Sequence, residues 1–125
     1  MIEARVELPL AGFRLRVDVR LGTGVTALMG PSGSGKTSLL EVLAGLRPGV
    51  RGRIGVAGAT WLDSYVGICL PPEGRHVGYV PQDAGLFPHL TVRGNVFFGV
   101  RPADAAAETA IDTLEIRPLL DRHPA

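Results

Sequence analysis

Cysteine is nearly absent from this chain of 125 residues: Cys69 is the only one. That excludes an internal disulfide and leaves no cysteine pair for a metal. Cys69 itself reads as a small buried hydrophobe. No apolar run approaches the roughly 20 residues a membrane helix needs. The N-terminus lacks the apolar stretch of a signal peptide, so the sequence predicts a cytosolic protein. An excess of either charge is also missing. Thirteen Lys and Arg stand against twelve Asp and Glu, a formal net charge of +1. The two signs are interspersed, so there is no electrostatic footprint for DNA or RNA. Lysine is the rarest base: Lys36 is the only one, and every other basic residue is Arg. Neither an internal repeat nor a low-complexity tract is present. Length and an apolar content of 46% fit one ordinary globular domain.

The single lysine stands in the most informative stretch, Gly30-Pro31-Ser32-Gly33-Ser34-Gly35-Lys36-Thr37. It fits Gly-x4-Gly-Lys-[Ser/Thr], the P-loop pattern. Glycines let the backbone curl so that successive N–H groups point inward around phosphate oxygens. Lys36 brings a compact charge to the β- and γ-phosphates, where a planar guanidinium would be too bulky. Thr37 offers a hydroxyl to Mg²⁺. The flanks agree with the motif. Val25 to Met29 reads as a short buried strand entering the loop. Thr37 to Ala44 reads as a helix leaving it, whose N-terminal partial positive charge favours an anion. The predicted phosphate cradle is Gly30, Pro31, Ser32, Gly33, Ser34, Gly35, Lys36, Thr37 and Ser38, and the predicted ligand is a phosphate chain with Mg²⁺.

Around this loop the chain reads as α/β. Ile2 to Leu8 alternates weakly, as an edge strand. Phe13, Leu15, Val17, Val19 and Leu21 alternate strictly with Arg14, Arg16, Asp18 and Arg20, which predicts an antiparallel strand with one buried face. Phe13 belongs to that buried set. After the P-loop helix, Gly45 is a C-cap, with Pro48 at the expected distance. Arg51 to Gly58 gives a short strand. Residues 59 to 74 offer less pattern: Trp61 and Leu62 suggest a strand end, and Ile68-Cys69-Leu70 suggests packing beneath a loop. Val77 to Val80 reads as a buried strand delivering Pro81-Gln82-Asp83 to a loop. Thr91 is an N-cap for a helix from Val92 to about Phe98. Pro102 opens a second helix, Ala103 to about Ile116, with Ala106, Ala110, Ile111 and Leu114 at helical spacing. Pro118 begins one more short turn.

A nucleotide hydrolase also needs an acid beside Mg²⁺, usually at the end of a buried apolar strand. No run of four apolar strand formers is followed by Asp or Glu in this sequence. Asp83 stands in the loop beside Gln82, and Asp121 follows only two apolar residues after Pro118. The ending Asp121-Arg122-His123-Pro124-Ala125, with no capping strand, predicts that these residues are the front part of a larger domain. His76, His89 and His123 read as surface histidines.

With the opening β-layer, the P-loop and Val77-Gly78-Tyr79-Val80-Pro81-Gln82-Asp83 together, the chain resembles the N-terminal part of an ABC-transporter ATPase subunit. The run Gly67-Ile68-Cys69-Leu70-Pro71-Pro72-Glu73-Gly74-Arg75 through Gln82-Asp83-Ala84 to Leu86-Phe87-Pro88-His89 is most similar to molybdate importer ATPases. Val92-Arg93-Gly94-Asn95 extends that similarity. The resemblance implies a P-loop NTPase core with an antiparallel layer at about 1–24, a P-loop core at about 25–84 and the start of a helical region at about 85–125, incomplete at its C-terminal end. It implies that Gln82 is the Q-loop glutamine, reaching Mg²⁺ and acting with Lys36 in catalysis. It implies membrane permease subunits docking on about 85–99, with Leu86, Phe87 and Phe98 as an apolar patch. A second copy of the ATPase would complete each ATP site, and the protein would work peripherally on the cytoplasmic face of the inner membrane. The signature motif, the catalytic carboxylates and the switch histidine have no counterpart here. These 125 residues alone are therefore expected to bind ATP and hardly hydrolyse it. The adenine-stacking aromatic is open between Phe13, Trp61 and Tyr65. A DNA-maintenance ATPase of the same superfamily shares the P-loop and Q-loop, but no heptad repeat, cysteine pair or basic face is present. A small-molecule kinase shares only the P-loop.

Overall fold

The computed structural model describes residues 1–101 and 104–124, which fall into two compact units, Met1–Tyr79 and Val80–Ala125. The predicted start of the second helix at Pro102 and Ala103 lies outside the described residues.

The first unit is built on a five-stranded antiparallel sheet. Its strands are β1 (Ile2–Leu10), β2 (Phe13–Leu21), β3 (Arg51–Val56), β4 (Ala59–Asp63) and β5 (Ile68–Cys69), in spatial order β2-β1-β3-β4-β5. The strict alternation in β2 gives the strand it predicts. β1 is not an edge strand, however. It pairs with β2 along its whole length and with β3 from Ile2 to Glu7. Its inward residues Ala4, Val6 and Leu8 are buried, as an inner strand requires. Weak alternation reads as an edge because Ala and Pro dilute the pattern, whereas pairing on both sides is a property of the partners.

Register is written in the charges. Arg5 stands opposite Asp18, Glu7 opposite Arg16 and Glu3 opposite Arg20 across the β1–β2 ladder. Each of these pairs closes an ion contact, at 2.8, 3.2 and 3.4 Å. On the other side Arg53 meets its register partner Asp63 at 2.7 Å. A slip by one residue would break every pair and turn the apolar face to water.

The opposite face of the sheet carries the core. Helix α1 (Lys36–Ala44) lays Val42 onto Ala4, Val6, Leu8, Ile54 and Leu62, and Leu15, Val17 and Val19 of β2 close the side. Ile54 is wholly buried; truncating such a residue to Ala costs about 2–5 kcal/mol. Gly45 ends α1 in the left-handed conformation. Its own N–H and that of Leu46 return to Val42 O and Glu41 O at 3.2 and 2.8 Å, a Schellman closure.

Several expectations are corrected here. Residues 25–29 and 77–80 form no strand. Val25 and Met29 are fully or largely exposed. A buried parallel strand needs partners along both edges, and no described strand pairs with either segment. Cys69 is exposed rather than buried, because β5 is a two-residue outer strand paired only with β4. Phe13 is also exposed, since it stands where β2 leaves the hairpin turn.

A single turn, α2 (Pro72–Arg75), ends the first unit; α3 (Val92–Val96) and α4 (Ala105–Thr113) belong to the second. Thr91 Oγ1 accepts the N–H of Gly94 at 3.1 Å, as its N-cap role predicts. Asp104 caps α4, accepting from Ala106 and Ala107 at 3.0 and 3.1 Å. The covered face of α4 runs through Asp104, Ala107, Glu108 and Ile111, while Ala106, Ala110 and Leu114 are exposed. The predicted stripe shares only Ile111 with it, because alanines mark neither face. Arg117, in the 3-10 turn Arg117–Leu119 that contains Pro118, binds Asp112 and Glu108, and these hydrogen bonds raise its pKa.

Candidate functional site

The loop predicted to hold phosphate leads from residues 25–29 into α1. The N–H of Ser34 turns back to Pro31 O at 3.3 Å, and that of Leu39 closes the first helical turn on Gly35 O at 2.9 Å. The amides of Lys36, Thr37 and Ser38 therefore precede the first intrahelical bond, where a helix has donors to spare. Gly35 adopts a left-handed φ of +92°. A Cβ there would also stand 3.3 Å from both methyls of Leu15 and 3.4 Å from Leu10 Cδ1. The loop thus rests on the end of the β1–β2 hairpin, and a side chain at Gly35 would strain the left-handed backbone and press on the Leu10 and Leu15 methyls.

Lys36 extends across the loop. Its Nζ donates to Gly30 O at 2.9 Å and to Pro31 O at 2.7 Å. A Cβ on Gly30 would meet Ser34 Oγ at 3.1 Å, close enough that the Ser34 side chain would have to give by a few tenths of an ångström. The first turn of α1 contains no acidic residue, which leaves its dipole unopposed. Thr37 is exposed and Ser38 is buried. Free amides, one ammonium and an exposed hydroxyl fit a phosphate chain. A hydroxyl oxygen also suits Mg²⁺, which prefers hard oxygen donors and keeps much of its water.

The other end of α1 shows a residue that sequence reading missed. Arg75 is 4% exposed. Its Nη1 donates to Val42 O at 2.8 Å and Leu43 O at 2.9 Å, and its Nε to Leu70 O at 2.9 Å. The guanidinium lies 5.6 Å from the centre of the Trp61 ring. Burial lowers its pKa, but a guanidinium remains charged throughout the physiological range. No local pattern distinguishes Arg75 from the other arginines; only tertiary contacts do.

Gln82 belongs to the second unit, exposed in a turn closed by Ala84 N–H to Pro81 O at 3.1 Å. In that unit Leu86, Phe87 and Phe98 are all exposed, and the rings of Phe87 and Phe98 are 4.4 Å apart. Asn95 organises this surface. Its Oδ1 accepts the Phe87 N–H at 2.8 Å, and its Nδ2 lies within 3.0–3.2 Å of the carbonyls of Phe87, Leu90 and Thr91. His76, His89 and His123 are exposed, and no described residues form a cluster of three or more His, Cys, Asp or Glu suited to a metal.

Comparison with known proteins finds relatives over most of the chain. The ABC transporter family model matches residues 14–125. The molybdenum import ATP-binding protein ModC 1 of Azotobacter vinelandii is 47% identical over 98% of this chain and 36% of its own length. ModC of Paramagnetospirillum magneticum is 50% identical over 90% of this chain and 32% of its own. ModC of Aromatoleum aromaticum is 49% identical over 97% and 34%. The chain spans about a third of the length of these curated relatives. With residues 14–125 matched by the family model, the chain belongs to the ABC transporter family.

Proposed function

We propose that this chain forms the nucleotide-binding face of an importer ATPase for molybdate or a related oxyanion. The carrying observation is the Lys36 ammonium drawn across a glycine loop at the head of α1. In this reading the loop from Gly30 to Ser38 surrounds the phosphates. Lys36 exchanges its contacts with the Gly30 and Pro31 carbonyls for β- and γ-phosphate oxygens. Thr37 would offer its hydroxyl to Mg²⁺, and Gln82 would serve as the Q-loop glutamine. Bound Mg·ATP supplies the phosphoryl group and its charge neutralisation. Phe13, exposed beside Leu10 at the hairpin end on which Gly35 rests, stacks on adenine. The division into an opening layer of about 1–24, a P-loop core of about 25–84 and a helical region from about 85 belongs to the same proposal.

Transport rather than DNA maintenance is favoured by the names of the relatives, all import ATP-binding proteins. The exposed patch of Leu86, Phe87 and Phe98 would receive permease subunits, and a second ATPase copy would complete the site. No described helix is long and apolar enough to cross a membrane, which suits a subunit held peripherally at the cytoplasmic face of the inner membrane by its partners. The 125 residues alone are expected to bind Mg·ATP and turn it over negligibly. Calorimetric titration with Mg·ATP, paired with amide exchange, tests this. Binding with protection of residues 30–38 is expected. A folded sample with neither heat nor protection overturns the reading.

A further inference from the structure

Arg75 has no part in the nucleotide contacts just proposed, yet it is the buried cation that grips the helix carrying them. α1 is held at both ends by close approaches to glycine. At its head Gly35 rests on Leu10 and Leu15; at its tail Gly45 lies against the Arg75 guanidinium. Between the ends, Leu39 and Val42 are buried. Apolar packing fixes how close a helix lies to a sheet, but it resists sliding along the axis only weakly. Hydrogen bonds are directional and set that axial position. Arg75 supplies three: two to the last-turn carbonyls of α1 and one to Leu70 O, just beyond β5. The last carbonyls of a helix keep acceptor capacity beyond their capping bonds, as Val42 O does beside the Gly45 N–H, and a cation there also matches the dipole. α1 is about 13 Å long at its usual rise, and a close-packed interior passes a shift at one end to the other.

We infer that Arg75 is a positioning residue for the phosphate loop: by pinning the C-terminal turn of α1 to the β4–β5 side of the sheet, it sets where the amides of Lys36, Thr37 and Ser38 stand. The inference rests on the nucleotide-binding reading above. Only a planar fork can serve Leu70 on one edge and two helix carbonyls on the other, so lysine replaces it incompletely.

The test compares wild type with Arg75→Met and Arg75→Lys at a temperature where far-UV circular dichroism shows each folded. A residue that merely added stability would lower the melting temperature and leave the affinity of the folded protein alone. A positioning residue changes both the affinity for Mg·ATP and the amide resonances of Gly33 to Ser38. Arg75→Met is expected to bind about tenfold more weakly and to move those resonances, within the range typical of coupled sites. Arg75→Lys is expected to recover part of the affinity. Wild-type affinity with unmoved loop resonances in folded Arg75→Met overturns the inference. If that variant does not fold, the same result in Arg75→Lys overturns it. If wild type itself binds no Mg·ATP, the nucleotide reading falls, and the loop resonances still decide: moved supports the role of Arg75, unmoved ends it.

Discussion

A Cβ placed on Gly45 would stand 2.8 Å from Nε of Arg75. The same glycine has a φ of +82°. Gly45→Ala therefore meets two penalties, a left-handed backbone with a side chain and a displaced buried guanidinium. Gly49, with a φ of +75° and open space around its Cβ position, meets only the first. Gly45→Ala should lose about 2–4 kcal/mol in urea unfolding and Gly49→Ala about 1 kcal/mol, the difference being the disturbance of Arg75. Equal losses at the two sites would mean that Arg75 yields without cost.

Lys36 makes its hydrogen bonds within the loop, to Gly30 O and Pro31 O. Removing its side chain touches no core residue, so Lys36→Ala should keep the circular dichroism spectrum and a melting temperature close to wild type. Affinity for Mg·ATP should fall at least tenfold, since a hydrogen bond from a charged donor is worth about 1.5–3 kcal/mol. Unchanged affinity in calorimetry would remove Lys36 from the phosphate site.

These residues also mark what could be read from the sequence. Lys36, Gly35 and Gly45 were legible because each obeys a local rule: loop chemistry, or the end of a helix. Thr91 was legible for the same reason, and β2 because alternation over nine residues admits one period. The inner place of β1 was not legible, since pairing with β3 depends on residues fifty positions away. Residues 25–29 are apolar enough for a strand, but a strand also needs a neighbour. Arg75 was hidden because its burial is decided by the carbonyls of α1 and by Trp61, none of them adjacent in sequence.

Cys69 gives a direct check on the short outer strand. It stands opposite Leu62 in the β4–β5 pair and is exposed. A small thiol reagent should label it fully in native buffer, at a rate that does not rise in urea below the unfolding transition. Labelling that waits for denaturant would place Cys69 inside.

Asn95 should separate local order in the second unit from its helices. Its Nδ2 has two hydrogens and three carbonyls within reach, so at least one hydrogen is shared. Asn95→Asp keeps an acceptor for the Phe87 N–H but sets an anionic oxygen against the carbonyls of Phe87, Leu90 and Thr91. Asn95→Ala removes acceptor and donors together. Both should raise amide exchange at Phe87 and Leu90, and Asn95→Asp should cost about 2–3 kcal/mol of local stability, as lost and unfavourable polar contacts do. Exchange across α4 should be unchanged, because Asp104 and Ile111 hold that helix without Asn95. The Phe87 and Phe98 rings should lose their mutual contact, visible as a weakened ring-to-ring Overhauser effect. If α4 exchange rises in step with residues 87–90, the loop and the helix open as one body, and Asn95 is not a separate latch.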